Sequence, residues 1–376
     1  MNKQLIWNCD LIKSKPKLNP TIPHYTNPST QTTMVETILI SGANGFVAAN
    51  AIKELLTNGY AVKGQVRSEA SAAKVKEAHA AYAGENLSLI IVKDITAPGA
   101  FDEAVTGVDG IFHTASPFVL NAVDYDAELF DPAVNGTVSI LKSAKEFGTS
   151  VKRVVITSSF ASILDFAAGL RPGKTYNEED WNPMTRDEAK AAGPVAGYLT
   201  SKVLAEKAGF DFVEKEKPNF SIATVCPPMV YGPIAQDFDD MHKLNESTED
   251  FYNLMNGSKT ETPGTGFWAY ADVRDLALAH RLAYEKPEAA NQRFLIANGR
   301  YNYQMFVDLI KKNFPELASR VSANPNPANE AYPDGVYSID NSKAKNVLGI
   351  QFRPMEETIV DTVKYLQALE KKLGVA

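Results

Sequence analysis

Tyr198 and Lys202 form the pair of side chains whose spacing best suits proton transfer. They are four positions apart in a stretch with a helical pattern, so a helix would place both on one face. A phenol with its ordinary pKa of about 10 transfers protons poorly at neutral pH unless a nearby ammonium group stabilises the phenolate, and Lys202 could supply that charge. Ser159, which follows an apolar run, could hydrogen-bond a carbonyl oxygen and hold it near Tyr198.

The order of these residues along the chain distinguishes them from a chance pair. Exposed helices often carry a tyrosine and a lysine at this spacing without any chemistry. Here the pair follows a glycine-rich turn and then the polar run Thr157-Ser158-Ser159 at the end of an apolar segment, which is the order that a one-domain reductase requires. We therefore assign Ser159, Tyr198 and Lys202 as the catalytic residues, with Ser159 rather than Ser158 as the reactive hydroxyl.

The glycine-rich turn predicts a dinucleotide site. The apolar run Thr37–Ser41 leads directly into the turn Gly42-Ala43-Asn44-Gly45-Phe46-Val47-Ala48, and an amphipathic helical pattern follows. Gly42 permits a tight turn, Gly45 lets backbone N–H groups approach a pyrophosphate, and Ala48 lets helix and strand pack closely. A turn that only connects two elements could have this composition, but the strand, the spacing and the helix all favour cofactor binding.

The end of the second predicted strand indicates which cofactor binds. Sites that prefer NAD usually place an acidic residue there, against the ribose 2′-hydroxyl. This chain has Val66-Arg67-Ser68 instead, and Arg67 could bind a 2′-phosphate through two hydrogen bonds. Lys74, near the start of the next helix, could add charge, although both cations could also be solvated surface residues. The sequence therefore predicts NADPH/NADP+ rather than NADH.

Further candidate cofactor contacts lie where other predicted strands end, because ligands bind at the carboxyl edge of such sheets. His113 stands there too, but it could equally be a core histidine, and we assign it no acid–base role. Together with the glycine turn, the two cations and the tyrosine–lysine pair, the residues assigned to cofactor binding are Gly42, Asn44, Gly45, Phe46, Val47, Arg67, Lys74, Asp94, Ile95, Thr114, Ala115, Ser116, Thr157, Tyr198 and Lys202.

Alternation of apolar runs with helical patterns predicts the fold. The predicted strands are Thr37–Ser41, Ala61–Val66, Leu87–Val92, Gly110–Thr114, Arg153–Ser158 and Ser221–Cys226. The predicted helices between them are Phe46–Thr57, Ala70–Ala83, Ala100–Val105, Ala127–Phe147 and Val195–Glu214. Continuous apolar runs are typical of parallel strands that are buried on both faces. We therefore expect an α/β chain with a Rossmann-type, doubly wound parallel sheet.

The alternation loosens after Pro233, which suggests a second region. A polar stretch, Ala235–Thr265, is followed by helical patterns at Val273–Glu285, Tyr303–Asn313 and Met355–Lys372. We interpret residues 34–233 as the NADP-binding domain with the catalytic residues. Residues 234–376 are then a smaller, mostly helical substrate lobe, partly interleaved with the sheet because no linker-like tract separates the two.

Residues 1–33 are rich in proline and polar side chains and show no apolar periodicity. We interpret them as a disordered tail or as an upstream extension before a start at Met34. A chain that begins at Met34 should keep both its melting temperature and its activity, because the first predicted strand follows that residue almost at once. Thermal unfolding and turnover measurements check this, and a loss in either would show that residues 1–33 pack onto the fold.

Composition excludes several other classes of protein. The chain has 376 residues and a net charge of −7, without the dense basic run that nucleic acids or anionic membranes attract. Cys9 and Cys226 show no ligand-like spacing, which argues against a disulfide framework or a metal site and suits a reducing compartment. No window approaches the roughly 18 apolar residues of a membrane-spanning helix. We expect a cytoplasmic monomer or homodimer that binds neither nucleic acid nor membrane.

These motifs resemble the extended short-chain dehydrogenase/reductase family, specifically its dihydroflavonol-reductase-like branch with the fungal ketoreductases and methylglyoxal reductases. The likeness runs from Met34 nearly to Ala376. It rests on the glycine-rich turn, the catalytic residues and the stretches Val66-Arg67-Ser68, His113 to Phe118, Val134-Asn135-Gly136-Thr137, Pro227 to Pro233 and Asp272-Val273-Arg274-Asp275. Cys226 departs from the family, where asparagine often precedes the proline.

The resemblance implies a chemistry for this chain. It implies a Ser159, Tyr198 and Lys202 triad that uses NADPH to reduce aldehydes and ketones to alcohols. It also implies that the nicotinamide is bordered by Pro227, Met229 and Val230.

The substrate pocket is less visible in the sequence. Phe118, Phe160 and Met229 directly follow cofactor or catalytic elements and are candidate substrate contacts, although aromatic residues at such places are as often ordinary core.

Two other functions are compatible with the fold. A nucleotide-sugar epimerase or dehydratase would share the triad but retain NAD, which Arg67 disfavours. A regulator that senses NADP(H) without turnover typically lacks the tyrosine–lysine pair, which this chain keeps.

Overall fold

A parallel sheet of seven strands forms the centre of the computed structural model, which describes residues 35–116, 122–236, 238–322 and 324–375. The strands in chain order are β1 (Thr37–Ser41), β2 (Ala61–Val66), β3 (Leu87–Ile91), β4 (Gly110–His113), β5 (Arg153–Thr157), β6 (Thr175–Tyr176), β7 (Ser221–Cys226), β8 (Met229–Tyr231), β9 (Ala269–Asp272), β10 (Gln292–Leu295), β11 (Gly299–Arg300) and β12 (Ser338–Ile339). The order in the main sheet is β10-β7-β5-β4-β1-β2-β3. Strand order reverses between β1 and β4, and ligands bind at such a switch point in open α/β sheets.

Helices cover both faces of this sheet. In chain order they are α1 (Phe46–Thr57), α2 (Glu69–Ala83), α3 (Asp131–Phe147), α4 (Arg186–Ala192), α5 (Pro194–Glu216), α6 (Glu246–Asn253), α7 (Val273–Glu285), α8 (Tyr303–Asn313) and α9 (Met355–Leu373). Residues of α1, α2 and α7 share one hydrophobic cluster with the strands, and residues of α3 and α5 share another. Burial on both faces explains why these strands are continuous apolar runs.

The predicted α/β fold is confirmed, and the six predicted strands end within one residue of their expected positions. The seventh strand, β10, lies in the region predicted as the substrate lobe and was missed. Its sequence begins with Gln292 and Arg293, so it lacks the continuous apolar run of a buried strand. Arg293 is nevertheless buried there, because Glu206 of α5 neutralises it within the core.

Two local predictions were wrong. Ala100–Val105 forms irregular turns rather than a helix, because hydrogen bonds of i→i+3 and i→i+4 type are mixed and flanking Gly99 and Gly107 have positive φ. The C-terminal region is mixed rather than mostly helical. Its strands β9 and β11 form a three-stranded sheet with β8 in the order β11-β9-β8, and α6 lies within the polar stretch Ala235–Thr265.

A separate aromatic cluster forms the core of this C-terminal region. Tyr231, Phe251, Tyr301 and Phe306 are buried and contact one another edge to face or stacked. The division of the chain at residues 233/234 stays a prediction. Within the described ranges, no helix combines the length and apolar composition needed to cross a membrane.

Candidate active site

The turn between β1 and α1 is shaped to receive a phosphate group. Gly42 has a φ of +66°, a left-handed conformation that favours glycine, and a Cβ there would lie 3.2 Å from Ala115. The Gly42 N–H donates to the side chain of Gln65 at 2.8 Å, and the Gly45 N–H donates to the Gly42 carbonyl at 2.8 Å. Gly45 caps α1 without a side chain, so the N–H groups and positive dipole end of the helix remain available to an anion.

A cleft of about 540 Å³ opens at this turn, a volume suited to a large organic ligand. The predicted cofactor contacts that line it are Gly42, Asn44, Gly45, Arg67, Asp94, Ile95, Thr114, Ala115 and Ser116. Gln65, Val66 and Lys93 also line the cleft and were not predicted. Gln65 is buried and donates to the Val92 carbonyl at 2.9 Å, so it fixes the glycine turn relative to the strand edge. A single glutamine within a strand gives no sequence signal of such a role.

The two predicted cations have different surroundings. Arg67 is exposed, lines the cleft, and forms no hydrogen bond or ion pair with any residue that the structure describes. Lys74 forms an ion pair with Asp239 at 3.1 Å and lines a separate cavity of about 240 Å³. The structure therefore brings Arg67, but not Lys74, into the cleft with the glycine turn.

Several other predicted contacts lie outside this cleft. Phe46 and Val47 belong to the first turn of α1 and pack against hydrophobic clusters, as does Val230. The Thr157 hydroxyl hydrogen-bonds Nε2 of His280, a buried residue of α7, at 2.7 Å. Phe46, Val47 and Thr157 lie at the helix start and the strand end where the sequence placed them, but the direction of each side chain depends on packing from distant parts of the chain.

The structure brings the three predicted catalytic residues together. Ser159 lies two residues after the end of β5, and its hydroxyl accepts a hydrogen bond from the Ala161 N–H at 3.1 Å, which orients it near the strand end. Tyr198 and Lys202 lie one turn apart on α5, with the lysine Nζ 5.6 Å from the centre of the tyrosine ring. A hydrogen bond joins Ser159 to Tyr198. A carbonyl oxygen placed between these hydroxyl groups could accept from both.

Burial sets the protonation of this pair. Burial, helped by the negative charge of Glu246, raises the pKa of Tyr198 to about 12, and the Ser159 hydrogen bond acts in the opposite direction. Burial also lowers the pKa of Lys202 to about 8. The net shift at Tyr198 is therefore opposite to the lowering expected from Lys202, because removing a phenolate from water is unfavourable. At neutral pH the phenol keeps its proton, as a proton donor must.

A smaller cavity of about 170 Å³ lies at the catalytic serine and tyrosine. Its lining residues are Ser159, Phe160, Ala161, Val195, Tyr198, Leu199, Pro228, Met229, Glu246 and Phe267. Phe160 and Met229, two predicted substrate contacts, are among them, although Phe160 is also buried in a hydrophobic cluster. Phe118, the third, lies outside the described residues. Pro227 does not line this cavity, and its carbonyl accepts the Phe160 N–H at 2.8 Å.

Glu206, one turn beyond the catalytic lysine on α5, was missed by sequence reasoning. It is buried, and its oxygens accept hydrogen bonds from Ser158 at 2.6 Å, Ser162 at 2.5 Å, Thr224 at 2.5 Å and Nε of Arg293 at 2.8 Å. Burial favours the neutral acid, but the Arg293 charge and these hydrogen bonds hold the pKa of Glu206 below its ordinary value. The network ties α5 to the end of β5, to β7 and to β10.

Replacing Ser162 with alanine should destabilise the fold. The variant removes a hydrogen bond to a buried carboxylate, and such bonds contribute roughly 1.5–3 kcal/mol to the free energy of unfolding. Urea unfolding measures the loss. Ser143→Ala is the matched control, because Ser143 is also buried and donates to a carboxylate, Asp102, at 2.6 Å, but that carboxylate is partly exposed and can bind water instead. Equal losses in the two variants would contradict a special role for the Glu206 network.

Two other residues with reactive side chains are held inactive by burial. His113 is 3% exposed, and its Nδ1 lies 2.9 Å from the Ser41 hydroxyl. Burial, together with the charge of Lys202, lowers the pKa of His113 to about 4, so it is neutral at physiological pH. Burial and the neighbouring Glu206 raise the pKa of the Cys226 thiol to about 12. The core interpretation of His113, one of the two left open, is therefore the one that the structure supports.

Comparison with known proteins identifies the class. The NAD dependent epimerase/dehydratase family matches residues 38–297, and the chain belongs to this family of extended short-chain dehydrogenases/reductases. A ketoreductase of Aspergillus niger is 36% identical to it, over 88% of this chain and 97% of the relative. The NADPH-dependent methylglyoxal reductase of Saccharomyces cerevisiae is 35% identical, over 89% of this chain and 99% of the relative.

Solved structures agree with this assignment. The crystal structure of yeast methylglyoxal/isovaleraldehyde reductase complexed with NADPH superposes with a TM-score of 0.80 at 34% identity, covering 90% of this chain and 100% of the other. An NADPH complex of the similar Candida albicans protein gives a TM-score of 0.82 at 34% identity, over 89% and 99% of the two chains. The predicted family resemblance and Rossmann-type fold are confirmed.

Proposed function

We propose that the chain is an NADPH-dependent carbonyl reductase that converts small aldehydes and ketones to alcohols. The observation that carries this proposal is the cavity that Ser159 and Tyr198 line together at the carboxyl edge of the sheet. Neighbouring strands β4 and β5 end there, with the glycine-turn cleft at the end of β4 and the catalytic serine at the end of β5. A substrate carbonyl and a dinucleotide could therefore meet at this edge.

The cleft residues fit a phosphorylated dinucleotide. The start of α1 has no side-chain cap, so its N–H groups can contact a pyrophosphate. Gly42 lies close to Ala115, and a side chain at Gly42 would force this tight turn apart. Arg67 would hold the 2′-phosphate that distinguishes NADPH from NADH. When bound, the cofactor supplies the hydride that reduces the carbonyl carbon.

The catalytic residues would handle the proton and the developing charge. Tyr198, protonated at neutral pH, donates its hydroxyl proton to the substrate oxygen as the alcohol forms. Ser159 orients that oxygen through a second hydrogen bond. Lys202 stabilises the phenolate left on Tyr198, because its ammonium group is close to the ring and shielded from water. Similar proteins are named as methylglyoxal reductases and ketoreductases, which supports the same reaction class here.

The cavity volume limits the size of the substrate. At about 170 Å³ it is smaller than the roughly 300–1,000 Å³ of pockets that enclose drug-sized ligands. The lining is mainly apolar, with hydrogen-bonding side chains restricted to Ser159, Tyr198 and Glu246 among the described residues. We therefore infer that short-chain aldehydes and ketones, rather than nucleotide sugars, occupy it.

Following the absorbance of NADPH with purified protein tests this function. We expect absorbance to fall in the presence of methylglyoxal, isovaleraldehyde or a methyl 2-oxo ester, with the alcohol as product. A nucleotide-sugar epimerase would convert its substrate without net loss of NADPH. A cofactor-sensing regulator would bind NADPH, seen by its fluorescence change, and turn over none of these compounds. Either result would overturn the proposal.

A further inference from the structure

Glu246 lines the small cavity together with the catalytic hydroxyl groups of Ser159 and Tyr198. It is the first residue of α6 and, among the described residues that line the cavity, the only charged one. It is also exposed to solvent, so it lies where the cavity opens. Its negative charge reaches the site, because it contributes to the raised pKa of Tyr198. An acid at this position therefore faces any molecule that enters to be reduced.

The charge of Glu246 has no counterion in the part of the chain that the structure describes. The residue forms no hydrogen bond or ion pair there, and the charges that act on its carboxyl group are those of two more acids, Asp250 and Glu249. Burial and these acids raise the pKa of Glu246. Lys243, three positions earlier, pairs with Asp239 instead. The opening of the cavity is thus a region of negative potential with an unused hydrogen-bond acceptor.

We propose that Glu246 makes this cavity select its substrates by charge, accepting carbonyl compounds that carry a hydroxyl or ammonium group beside the carbonyl and rejecting those that carry a carboxylate. The proposal rests on the proposed carbonyl reductase function and names its substrate class more closely. Glu246 is a specificity-determining residue in this scheme. It takes no part in the transfer of the proton, which remains with Tyr198.

Electrostatics in a small, mainly apolar cavity support this selection. Two like charges a few ångströms apart repel more strongly beside a small apolar cavity than in bulk water, because the cavity side of Glu246 has less solvent to screen them. The cavity has a volume of only about 170 Å³. Once Ser159 and Tyr198 hold the carbonyl oxygen of a substrate there, a carboxylate next to that carbonyl would therefore be confined near Glu246. A hydroxyl or ammonium group at the same place would instead donate a hydrogen bond to the free carboxylate.

Glu246→Gln tests the proposal with substrate pairs that differ in charge. We expect the ratio of kcat/KM for pyruvate over methyl pyruvate to rise at least 10-fold in the variant, mainly through a lower KM for the acid. The corresponding ratio for protonated aminoacetone over butanone should fall at least 5-fold. Ratios are required because Glu246 also raises the pKa of Tyr198, and a change in proton donation affects both members of a pair equally.

A second, non-turnover measurement and a matched control complete the test. The inhibition constant of pyruvate against methyl pyruvate reduction should fall in Glu246→Gln. Glu249→Gln removes the same charge from the same helix turn at a residue that does not line the cavity, and its ratios should stay within 2-fold of the parent chain. Unchanged ratios in Glu246→Gln, or equal changes in both variants, would overturn the proposal. If the parent chain reduces none of the uncharged compounds, it is the proposed function that fails.

Discussion

Replacing Tyr198 with phenylalanine should lower the rate of carbonyl reduction at least about 100-fold while NADPH still binds. The substitution removes only the hydroxyl group, which carries the proton that the substrate oxygen must receive. The aromatic ring remains, and with it the contact that places Lys202 Nζ 5.6 Å from the ring centre. The loss should therefore appear in kcat, because the missing interaction strengthens as charge develops on the substrate oxygen.

The measurement combines steady-state turnover with titration of NADPH fluorescence. Tyr60→Phe is a suitable control, because it also removes a hydroxyl that donates a hydrogen bond, here to Glu285 at 2.8 Å. Tyr60 directly precedes β2, so it lies at the amino edge of the sheet, away from the catalytic residues at the carboxyl edge. Turnover in Tyr60→Phe should stay close to that of the parent chain. If Tyr198→Phe also turned over at a near-normal rate, the assignment of Tyr198 as proton donor would be wrong.

Replacing Arg67 with alanine should weaken NADPH selectively. A hydrogen bond between a guanidinium and a phosphate contributes roughly 1.5–3 kcal/mol, which corresponds to about 10- to 150-fold in affinity. Binding of NADH should change little, because it has no 2′-phosphate. Arg67→Asp should go further and invert the preference, since a carboxylate repels the phosphate but accepts hydrogen bonds from the free ribose hydroxyls.

The ratio of kcat/KM for NADPH over NADH in the parent chain, Arg67→Ala and Arg67→Asp provides the measurement. Lys74→Ala is the matched control: it also removes a cation, but that cation is already paired with Asp239 and lines another cavity. Its ratio should change less than 3-fold. Equal relative losses with both cofactors in Arg67→Ala would show that Arg67 supports the fold rather than phosphate recognition.

Local features of the site could be predicted from sequence, and features that depend on distant contacts could not. The glycine turn and the spacing of Tyr198 and Lys202 are contained in a few consecutive residues, so periodicity and residue type suffice to find them. The pairing of Glu206 with Arg293 joins residues 87 positions apart, and it appears only once β10 lies beside β7. The pKa of Tyr198 is equally non-local, because its largest cause is burial by the whole site and the next is the charge of Glu246, 48 positions away.

The position of β10 also bears on which parts of this chain can change during evolution. After β7 the chain leaves the main sheet, builds α6 and the strands around it, and returns through α7 to pair with β7 again as β10. The whole excursion is one enlarged crossover between adjacent strands. Its length and content can change during evolution without altering strand order or the glycine turn. Glu246 lies within this excursion and Tyr198 lies before it, so selection can act on substrate preference and on hydride chemistry through separate stretches of the gene.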